Sequence, residues 1–440
     1  MPYQSGIKWI GEIPNDWEIK RIKHIATLNG RIGWQGLTSE EYCDDGAYLI
    51  TGVDFSNGGI DWNSCVHVSF DRWREAKEIQ IQNGDLLITK DGTVGKVAIV
   101  EGLNQECSLN SGVLRILTKE KYNRHFLYYV LLSDVFLEWF TDRNAGNSTI
   151  IHLYQNDFNN FAYAVPPLKE QFLIAKHLDS ECENIDRIIK ETEKQIEILK
   201  QYKKSLITET VTKGLDRNAE TKECGIIWIG SIPKHWEVKK IKYVANVYTG
   251  NSISDDEKEL YLDEENARPY ISSKDVSADC NCIDYENGMY IKFNDTTFKV
   301  AKKGSSVICI EGGSAGKKIG FLDRDVCFVN KLCCLESFSK VEPKFLNYYI
   351  QTQSFQEEFF SHIAGLIGGV SQSILKNFAF ILPPLAVQRI IVDVLDKKCK
   401  EIETVVTDKL AILDNLNKYK KSFIYEFVTG KKRINKVGNA

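Results

Sequence analysis

Two long stretches of the chain place apolar residues at alternating intervals of three and four, with charged residues between them. This period is typical of a helix that buries one stripe against another helix, as in a coiled coil. A proline pair precedes each stretch, and Gly214 and Gly430 follow them, which are common helix start and stop signals. We therefore predict a helix over 169–212 and a second one near the C-terminus. The stripe residues are Ile185, Ile188, Ile189, Ile196, Leu199, Tyr202 and Leu206, and then Ile402, Val405, Val406, Leu413, Leu416, Tyr419 and Phe423.

The rest of the chain mixes short β-branched runs with glycines and aromatic residues, a pattern typical of short strands and turns. Residues 85–89 and 96–100 are predicted to be strands on either side of a glycine turn. Residues 123–140 carry apolar side chains at helical spacing and are predicted to form a helix. The parts outside the long helices are therefore predicted to be mixed α/β domains.

The whole pattern occurs twice. Residues 9–18 read Trp-Ile-Gly-Glu-Ile-Pro-Asn-Asp-Trp-Glu and return at 228–237 as Trp-Ile-Gly-Ser-Ile-Pro-Lys-His-Trp-Glu. Six such phrases recur in the same order at a shift of 217–220 residues, including the proline pairs and the ends of the long helices. This period is too long for a solenoid repeat, so it indicates a duplicated pair of domains.

The duplication predicts four segments. These are a globular domain over 1–165, a spacer helix over 166–217, a second globular domain over 218–382, and a second helix with a C-terminal tail over 383–440. The second helix can return along the first, apolar seam to apolar seam. The predicted fold class is α+β: two similar mixed α/β domains are joined by two long antiparallel coiled-coil helices with an internal pseudo-two-fold repeat.

Composition narrows the class of protein. With 440 residues, 43% hydrophobic and 26% charged, the chain has the composition of an average globular protein. No apolar run approaches the roughly 18 residues of a membrane span, and the N-terminus lacks a signal-peptide pattern. Twelve cysteines without a C-x-x-C pair are expected to be reduced thiols in a cytoplasmic protein. The net charge of −4 does not by itself indicate a nucleic-acid binder.

Together, these phrases resemble the specificity subunits of type I restriction–modification systems. The resemblance rests on the W-I-G-x-I-P-x-x-W-E opening of each half, on Pro-Pro-Leu followed by Gln171 or Gln388, and on the duplicated heptad helices. It implies two target-recognition domains, each of which reads one half of a split, asymmetric site in double-stranded DNA. It also implies that the helices set the distance between the halves and dock two methyltransferase (modification) subunits, which restriction–translocase subunits can join.

The resemblance implies no cofactor in this chain, since S-adenosylmethionine, ATP and Mg²⁺ serve the catalytic partner subunits. The proline pairs lack the preceding amide or carboxylate and the following aromatic residue of an adenine methyltransferase motif. Glu75-Ala76-Lys77 matches only half of a carboxylate nuclease pattern and does not recur. Two other hypotheses stay open. One is a protein-interaction scaffold with no DNA role, which the acidic net charge favours; the other, more remote, is a stand-alone nuclease.

Positions that differ between the two copies are where different half-sites could be read. Residues 29–83 and 249–303 hardly correspond, and Arg, Lys, Asn and Gln pair with base edges in the major groove. Ordinary solvated loop polarity is the alternative for each position. The predicted DNA contacts are Arg31, Trp34, Gln35, Asn57 and Arg72 in the first region and Asn251, Ser252, Lys274, Asn281 and Lys292 in the second.

Two glycine–lysine turns, at 91–96 and 311–318, do agree between the copies. Glycines let backbone N–H groups approach an anion and the lysine adds charge, which suits a DNA phosphate. A hairpin turn with a solvated lysine is the alternative, and the glycine spacing does not fit a nucleotide P-loop. With the loops after the next strand, the predicted contacts are Lys90, Thr93, Lys96, Asn110 and Ser111, and Ser314, Lys317, Lys318, Asn330 and Lys331.

The long helices are the predicted partner surface. Side chains that point outward from the seam could meet the methyltransferase subunits, although a solvated helix face is an equally simple alternative. The predicted partner contacts are Gln171, Arg187 and Lys204, with their counterparts Gln388, Thr404 and Lys421.

Overall fold

The two heptad stretches form two long helices in the computed structural model. The chain divides into two units, Met1–Thr192 with Ala411–Ala440 and Glu193–Leu410, and each long helix contributes one part to each unit. The four segments predicted from the sequence therefore remain a prediction. The structure describes residues 2–31, 37–56, 58–145, 151–278, 281–363 and 368–434.

The first unit is built from short strands and helices. Its strands are β1 (Tyr3–Gln4), β2 (Glu12–Ile13), β3 (Glu18–Arg21), β4 (Ala26–Asn29), β5 (Tyr42–Cys43), β6 (Ala47–Ile50), β7 (Phe55–Ser56), β8 (Gly59–Ile60), β9 (Val66–Val68), β10 (Leu86–Thr89), β11 (Val97–Ile99), β12 (Cys107–Leu109), β13 (Val113–Thr118) and β14 (Ala162–Val165). Its helices are α1 (Ile22–Ile25), α2 (Phe70–Arg74), α3 (Arg124–Leu132), α4 (Asp134–Arg143), α5 (Gln155–Phe158) and the start of α6 (Leu168–Lys213), with 3₁₀ turns at Ser39–Glu41 and Lys77–Ile79.

Two four-stranded sheets organise this unit. One is antiparallel, in the order β11-β10-β13-β4, and the other has the order β12-β6-β9-β5 with β12 parallel to β6. Strand β10 lies between two cores, because Leu86 and Ile88 face the core that contains α3 and α4 while Leu87 faces the core between the sheets. A strand buried on both faces needs an unbroken apolar run, which explains the sequence Leu-Leu-Ile-Thr.

The second unit repeats this plan. Its strands are β15 (Thr221–Glu223), β16 (Ser231–Pro233), β17 (Glu237–Lys240), β18 (Ala245–Thr249), β19 (Ala267–Ile271), β20 (Tyr290–Lys292), β21 (Val300–Ala301), β22 (Ser306–Cys309), β23 (Ile319–Phe321), β24 (Val326–Phe328), β25 (Leu332–Ser337) and β26 (Ala379–Leu382). Its helices are α7 (Pro343–Gln351), α8 (Gln353–Ser361), α9 (Gln372–Leu375) and the start of α10 (Leu385–Val428), with 3₁₀ turns at Ile241–Tyr243 and Asp255–Tyr261.

The antiparallel sheet of the second unit has the same strand order as that of the first, and the mixed sheet keeps the parallel pair but adds its edge strand β21 beside β24, whereas the first unit adds β5 beside β9. One has the order β18-β25-β22-β23, and the other has the order β20-β19-β24-β21 with β19 parallel to β24. Strand β22 is again buried on both faces, since Ile308 faces one core and Val307 and Cys309 face another. The predicted repeat of mixed α/β domains is therefore confirmed within each unit.

One predicted helix is divided in two. Residues 123–140 form α3 and α4, separated at Ser133, whose extended backbone ends the first helix. The Ser133 hydroxyl then accepts a hydrogen bond from the backbone N–H of Val135 and caps the second helix. A capping serine explains why apolar spacing alone does not reveal the break.

The long helices run antiparallel within each unit. In the first unit, Lys420 of α10 donates to Asp186 of α6 at 2.6 Å, and His177 contacts Phe427. In the second unit, Lys203 pairs with Glu403 and Lys409 donates to Gln195, each at 2.6 Å. The seam is less buried than its period predicts, since Tyr202 and Tyr419 are each 54% exposed. Two helices alone cannot enclose a wide apolar stripe.

In each unit, the end of a long helix packs against the tryptophan of the repeated Trp-Glu phrase. In the first unit, Gly430 ends α10 with φ +74° and packs against Trp17; in the second, Gly214 ends α6 with φ +79° and packs against Trp236. Glycine adopts positive φ without strain, and a side chain at either position would meet the indole. Both tryptophans are buried, which explains why this phrase recurs.

Gln171 and Gln388 do not lie on an outward helix face. They are 2% and 0% exposed, so their predicted placement is wrong. Gln171 accepts a hydrogen bond from the backbone N–H of Asn123 and donates to the carbonyl of Pro166. Gln388 makes the same pair of bonds with Glu342 and Pro383. Each glutamine satisfies backbone groups that the start of a helix leaves unpaired, and for that reason it is buried.

The cysteines differ from expectation at one position. Ten cysteines among the described residues are free thiols, most of them buried. Cys282 is disulfide-bonded, so the expectation of reduced thiols is wrong at this position. No helix within the described ranges is long and apolar enough to cross a membrane.

Candidate nucleic-acid interface

Three loops of the first unit meet at one edge of its two sheets. The Lys96 ammonium donates to the carbonyl of Gly52 at 3.2 Å. The backbone N–H of Asn110 donates to the carbonyl of Ile50, and that of Lys90 donates to the carbonyl of Gly112. A fourth segment joins them through a bond from the Leu153 N–H to the Lys90 carbonyl. We name residues 51–54, 90–96, 110–112 and 151–154 loop face 1.

The second unit builds the same edge with equivalent bonds. The Lys318 ammonium donates to the carbonyl of Ser273 at 2.7 Å. Backbone bonds join Val329 to Ile271, Ile310 to Lys331 and Val370 to Ile310. We name residues 272–275, 310–318, 329–331 and 368–370 loop face 2.

The two faces share a turn in the regions whose sequences hardly correspond. The Asp54 carboxylate accepts hydrogen bonds from both the N–H and the hydroxyl of Thr51, at 2.6 and 2.9 Å. The Asp275 carboxylate does the same for Ser272, at 2.7 and 2.8 Å. An aspartate that accepts the N–H three residues earlier closes a tight turn. The divergent regions therefore contain a common scaffold that the sequence comparison misses.

The lysines of the glycine turns hold the faces together. Lys96 and Lys318 are half-buried, and each fastens its turn to the neighbouring loop through a backbone carbonyl. By sequence, Lys96 aligns with Lys317, but its structural equivalent is Lys318. The turn is closed by a bond from the Thr89 N–H to the Lys96 carbonyl in the first unit and from the Cys309 N–H to the Lys318 carbonyl in the second. The second turn is therefore two residues longer. Lys317 is exposed, as are Thr93 and, in part, Ser314.

The asparagines of the repeated Cys-x-x-Asn phrase are not equivalent. Asn110 occupies the position of Val329, since each donates its backbone N–H to the end of the parallel strand. The Asn110 side chain shapes its own loop by donating to the Tyr42 hydroxyl and accepting from Gly112 N–H. Ser111 therefore corresponds to Asn330 and Gly112 to Lys331, and the side chains of Ser111, Asn330 and Lys331 are exposed.

Arg31 is buried and bonded to the scaffold instead of being exposed on the loop face. It is 6% exposed, and its guanidinium donates to the Leu109 carbonyl at 2.6 Å and to the Ser108 hydroxyl at 3.1 Å. Burial lowers the pKa of Arg31 to about 10, so it keeps its charge at neutral pH. A guanidinium held against β12 does not fit the predicted base contact. Asn251 follows Gly250 as Arg31 follows Gly30, and it is also bonded internally. Its carboxamide oxygen accepts a hydrogen bond from the backbone N–H of Lys299.

The other predicted contacts fall into three groups. Ser252 and Lys274 are exposed, and Lys274 occupies the turn position of Val53. Arg72, Asn281 and Lys292 are engaged with Glu41, Gln351 and Asp263 respectively. Trp34, Gln35 and Asn57 lie outside the described residues.

Three residues of loop face 1 were not predicted from the sequence. Val53 is 80% exposed, Tyr154 is 63% exposed, and His152 Nδ1 lies 2.6 Å from the Asp91 carboxylate. Apolar and aromatic residues occur on many loops, and only the structure shows which of them are exposed. The sequence therefore carries no signal for these residues.

The two faces differ in charge. Described side chains of loop face 2 include four lysines, Lys274, Lys317, Lys318 and Lys331, together with Asp275 and Glu311. Those of loop face 1 include two lysines, Lys90 and Lys96, together with Asp54 and Asp91. A surface that approaches DNA gains affinity from such cations through phosphate contacts, whereas base-edge contacts decide sequence. The geometry can therefore hold two different sets of contact groups on one scaffold.

The predicted partner residues other than the two glutamines do lie on the surface. Arg187, Lys204, Thr404 and Lys421 are exposed on the long helices. Arg187 approaches Glu191 at 3.7 Å, and the Thr404 hydroxyl donates to the carbonyl of Lys400 in its own helix. In the part of the chain that the structure describes, no group of three His, Cys, Asp or Glu side chains is arranged to hold a metal ion.

Comparison with known proteins adds to this geometry. The family described as the type I restriction modification DNA specificity domain matches residues 14–198 and 233–411. The type I restriction enzyme MjaVIII specificity subunit of Methanocaldococcus jannaschii is 25% identical, over 96% of this chain and 94% of its own.

Two solved structures have similar folds. A chain solved in a study of complex assembly and conformational transition of the type I R-M system matches with a TM-score of 0.72 at 17% identity, covering 96% of this chain and 99% of the other. The HsdS subunit from Thermoanaerobacter tengcongensis matches with a TM-score of 0.51 at 17% identity, covering 96% and 98% of the two chains.

Proposed function

The chain belongs to the type I restriction–modification DNA specificity family, and from this premise we propose that each unit reads one half of a bipartite DNA site with its own loop face. The chain is a non-catalytic specificity subunit with two recognition domains. The split readout and the residues that perform it are the parts that we propose.

One observation supports the split readout above all others. The two loop faces share their backbone bonds but present different exposed groups at equivalent positions: Val53 or Lys274, and Ser111 or Asn330. A methyl group suits the C5-methyl of thymine, while asparagine and lysine suit purine edges. A common scaffold with different contact groups is what two unlike half-sites require.

The helix pairs are the proposed docking surface for two modification subunits. Besides Arg187, Lys204, Thr404 and Lys421, large apolar side chains are exposed on these helices, which is unusual for a surface that meets only water. They include Ile188 and Tyr419 in the first unit and Ile198, Tyr202, Val405 and Leu410 in the second.

The chemistry is proposed to lie in the partners. Adenine methylation with S-adenosylmethionine, and cleavage with ATP and Mg²⁺ where restriction subunits join, would be supplied by those subunits. Since the proposed target is genomic DNA, the proposed place of action is the cytoplasm.

A methylation map tests the proposal. The chain is co-expressed with a type I modification subunit from the same source, and modified adenines are read across a genome by direct sequencing. A single bipartite motif that disappears when this chain is omitted is the expected result. A protein scaffold with no DNA role is not favoured, but failure of the two proteins to copurify, with no motif, would revive it.

A further inference from the structure

The same polar contact joins the recognition domain to a long helix in both units. In the first unit, the Tyr129 hydroxyl of α3 donates to the Asp179 carboxylate of α6 at 2.8 Å. In the second, the Tyr348 hydroxyl of α7 donates to the Asp396 carboxylate of α10, also at 2.8 Å. The acceptor is charged in each case, which makes this bond stronger than one between neutral groups.

The aspartate belongs to a stripe that reaches the opposite long helix. Asp179, Cys182 and Asp186 lie on one face of α6 at spacings of three and four, and Asp186 pairs with Lys420 of α10 at 2.6 Å. In the second unit, the stripe consists of Asp396, Cys399 and Glu403 of α10, and Glu403 pairs with Lys203 of α6 at 2.6 Å.

The cysteine in the middle of each stripe is a packing residue. Cys182 and Cys399 are each 5% exposed. Burial raises the pKa of the Cys182 thiol to about 11, so it remains protonated and unreactive at neutral pH. Each stripe therefore fixes three elements to one another: a helix of the recognition domain and both long helices of its unit.

The stripe is retained although its surroundings have changed between the units. The residue before the tyrosine is Tyr128 in the first unit and Asn347 in the second, and the residue three positions after it is Leu132 or Gln351. Asp179 also has His125 within 3.7 Å, whereas Asp396 is paired with Lys344. The bond between tyrosine and aspartate is kept in both units, together with the cysteine and the acid–lysine pair of the stripe.

We propose that the Tyr129–Asp179 and Tyr348–Asp396 bonds are positioning contacts that fix the angle of each recognition domain on its helix pair and so restrict the spacer length that the enzyme accepts. Spacer here means the unread base pairs between the two half-sites, so this inference rests on the proposed function. The bonds touch no DNA, and they leave the half-site sequences to the loop faces.

Loss of the tyrosine hydroxyl leaves the aspartate with different remaining partners in the two units. Lys344 still pairs with Asp396 when the Tyr348 hydroxyl is removed, while Asp179 keeps only the more distant His125 when the Tyr129 hydroxyl is removed. Tyr129→Phe is therefore expected to have the larger effect.

The experiment uses the complex of the full chain with its modification subunits. Plasmids carry the native half-sites with spacers from two base pairs shorter to two longer than the native length, and methylation of each is measured. A hydrogen bond to a charged group is worth about tenfold or more at equilibrium, so Tyr129→Phe should raise methylation of neighbouring spacers about tenfold relative to the native one. The half-site sequences should stay the same.

Matched variants separate positioning from general stability. Tyr349→Phe removes a neighbouring buried hydroxyl that donates to the carbonyl of Ala379 inside the recognition domain, and it should leave the spacer preference unchanged. Asp179→Asn keeps an uncharged acceptor for Tyr129 and should broaden the preference less than Asp179→Ala, which removes the acceptor.

An unchanged spacer preference in both Tyr129→Phe and Asp179→Ala would overturn the inference, as would an equal change in Tyr349→Phe. If the unmodified chain directs no bipartite methylation at all, the proposed function fails, and this inference fails with it.

Discussion

At the scale of single residues, the same side-chain type serves two purposes on the loop faces. Lys96 and Lys318 are tied to backbone carbonyls and hold loops together, whereas the side chain of Lys331 is exposed, and its ammonium makes no hydrogen bond or ion pair with another described residue. A lysine that is bound internally loses part of its capacity to contact phosphate. An exposed one can neutralise a phosphate and release its counterion.

Lys331→Ala should therefore weaken DNA binding by the complex to a similar extent for all sequences. It should also lower the slope of log affinity against log salt concentration by about 1, because one phosphate contact is lost. Binding titrations at several salt concentrations measure the slope, with the exposed Lys340, which lies off loop face 2, replaced by alanine as the control. A change confined to one base position would instead assign Lys331 to base readout.

Gln171 is a polar residue with a structural role, because it is buried. Gln171→Ala leaves the backbone N–H of Asn123 buried without its partner, so we expect the free energy of unfolding to fall by about 1–3 kcal/mol. Urea denaturation measures the loss. Gln201→Ala, an exposed change on the same helix that removes only a bond to Glu197 one turn earlier, should cost no more than about 0.5 kcal/mol. Equal losses would contradict a structural role for Gln171.

At the scale of elements, the long helices owe their antiparallel register to a few polar pairs as well as to the seam. The pairs Lys203–Glu403 and Lys420–Asp186 are partly exposed, and exposed ion pairs contribute only about 0–1 kcal/mol each. Their value lies in selecting one register among those that the apolar stripe allows, as charged flanking positions do in coiled coils.

A heptad inserted into both helices should lengthen the spacer without altering either half-site. Insertion between Lys194 and Gln195, and between Lys409 and Leu410, leaves the Lys420–Asp186 pair and the Lys203–Glu403 pair in place within their units. Seven residues add about 10 Å of helix, which corresponds to about three base pairs. Methylation mapping of the variant gives the spacer directly, and an unchanged spacer would show that the helices are not the ruler.

At the scale of the whole molecule, two copies of one design differ in the exposed residues of their loop faces while keeping their scaffold. Such a chain should be modular, because each unit has its own cores and its own loop face. Replacement of residues 1–165 by those of a relative should change one half of the methylated motif and leave the other half intact. Sequencing of modified adenines gives the outcome, and a change in both halves would show that the units do not read independently.

The net charge of −4 bears on affinity rather than on fold. The 56 basic side chains are outnumbered by 60 acidic ones. We therefore expect the isolated chain to bind DNA at least about 100-fold more weakly than its complex with modification subunits at physiological salt. Fluorescence anisotropy with the two preparations compares them. Equal affinities would place the phosphate contacts on this chain instead of on its partners.

The sequence by itself determined the features that depend on local periodicity and on repetition. The heptad spacing is recorded in the chain at every turn, so the helices are found at Leu168–Lys213 and Leu385–Val428, close to where the pattern places them. The paired phrases, such as Trp9 to Glu18 and Trp228 to Glu237, reveal the duplication and the family in the same way.

Only the tertiary structure decided which polar residues face water and which positions are equivalent. Gln171 is buried by a contact with Asn123, 48 positions away, and Arg31 by a contact with Leu109, 78 positions away. The match of Lys96 with Lys318, and of the Thr51–Asp54 turn with the Ser272–Asp275 turn, also depends on bonds between distant segments. Local pattern cannot encode these relations, because burial and equivalence are properties of the neighbours that folding brings together.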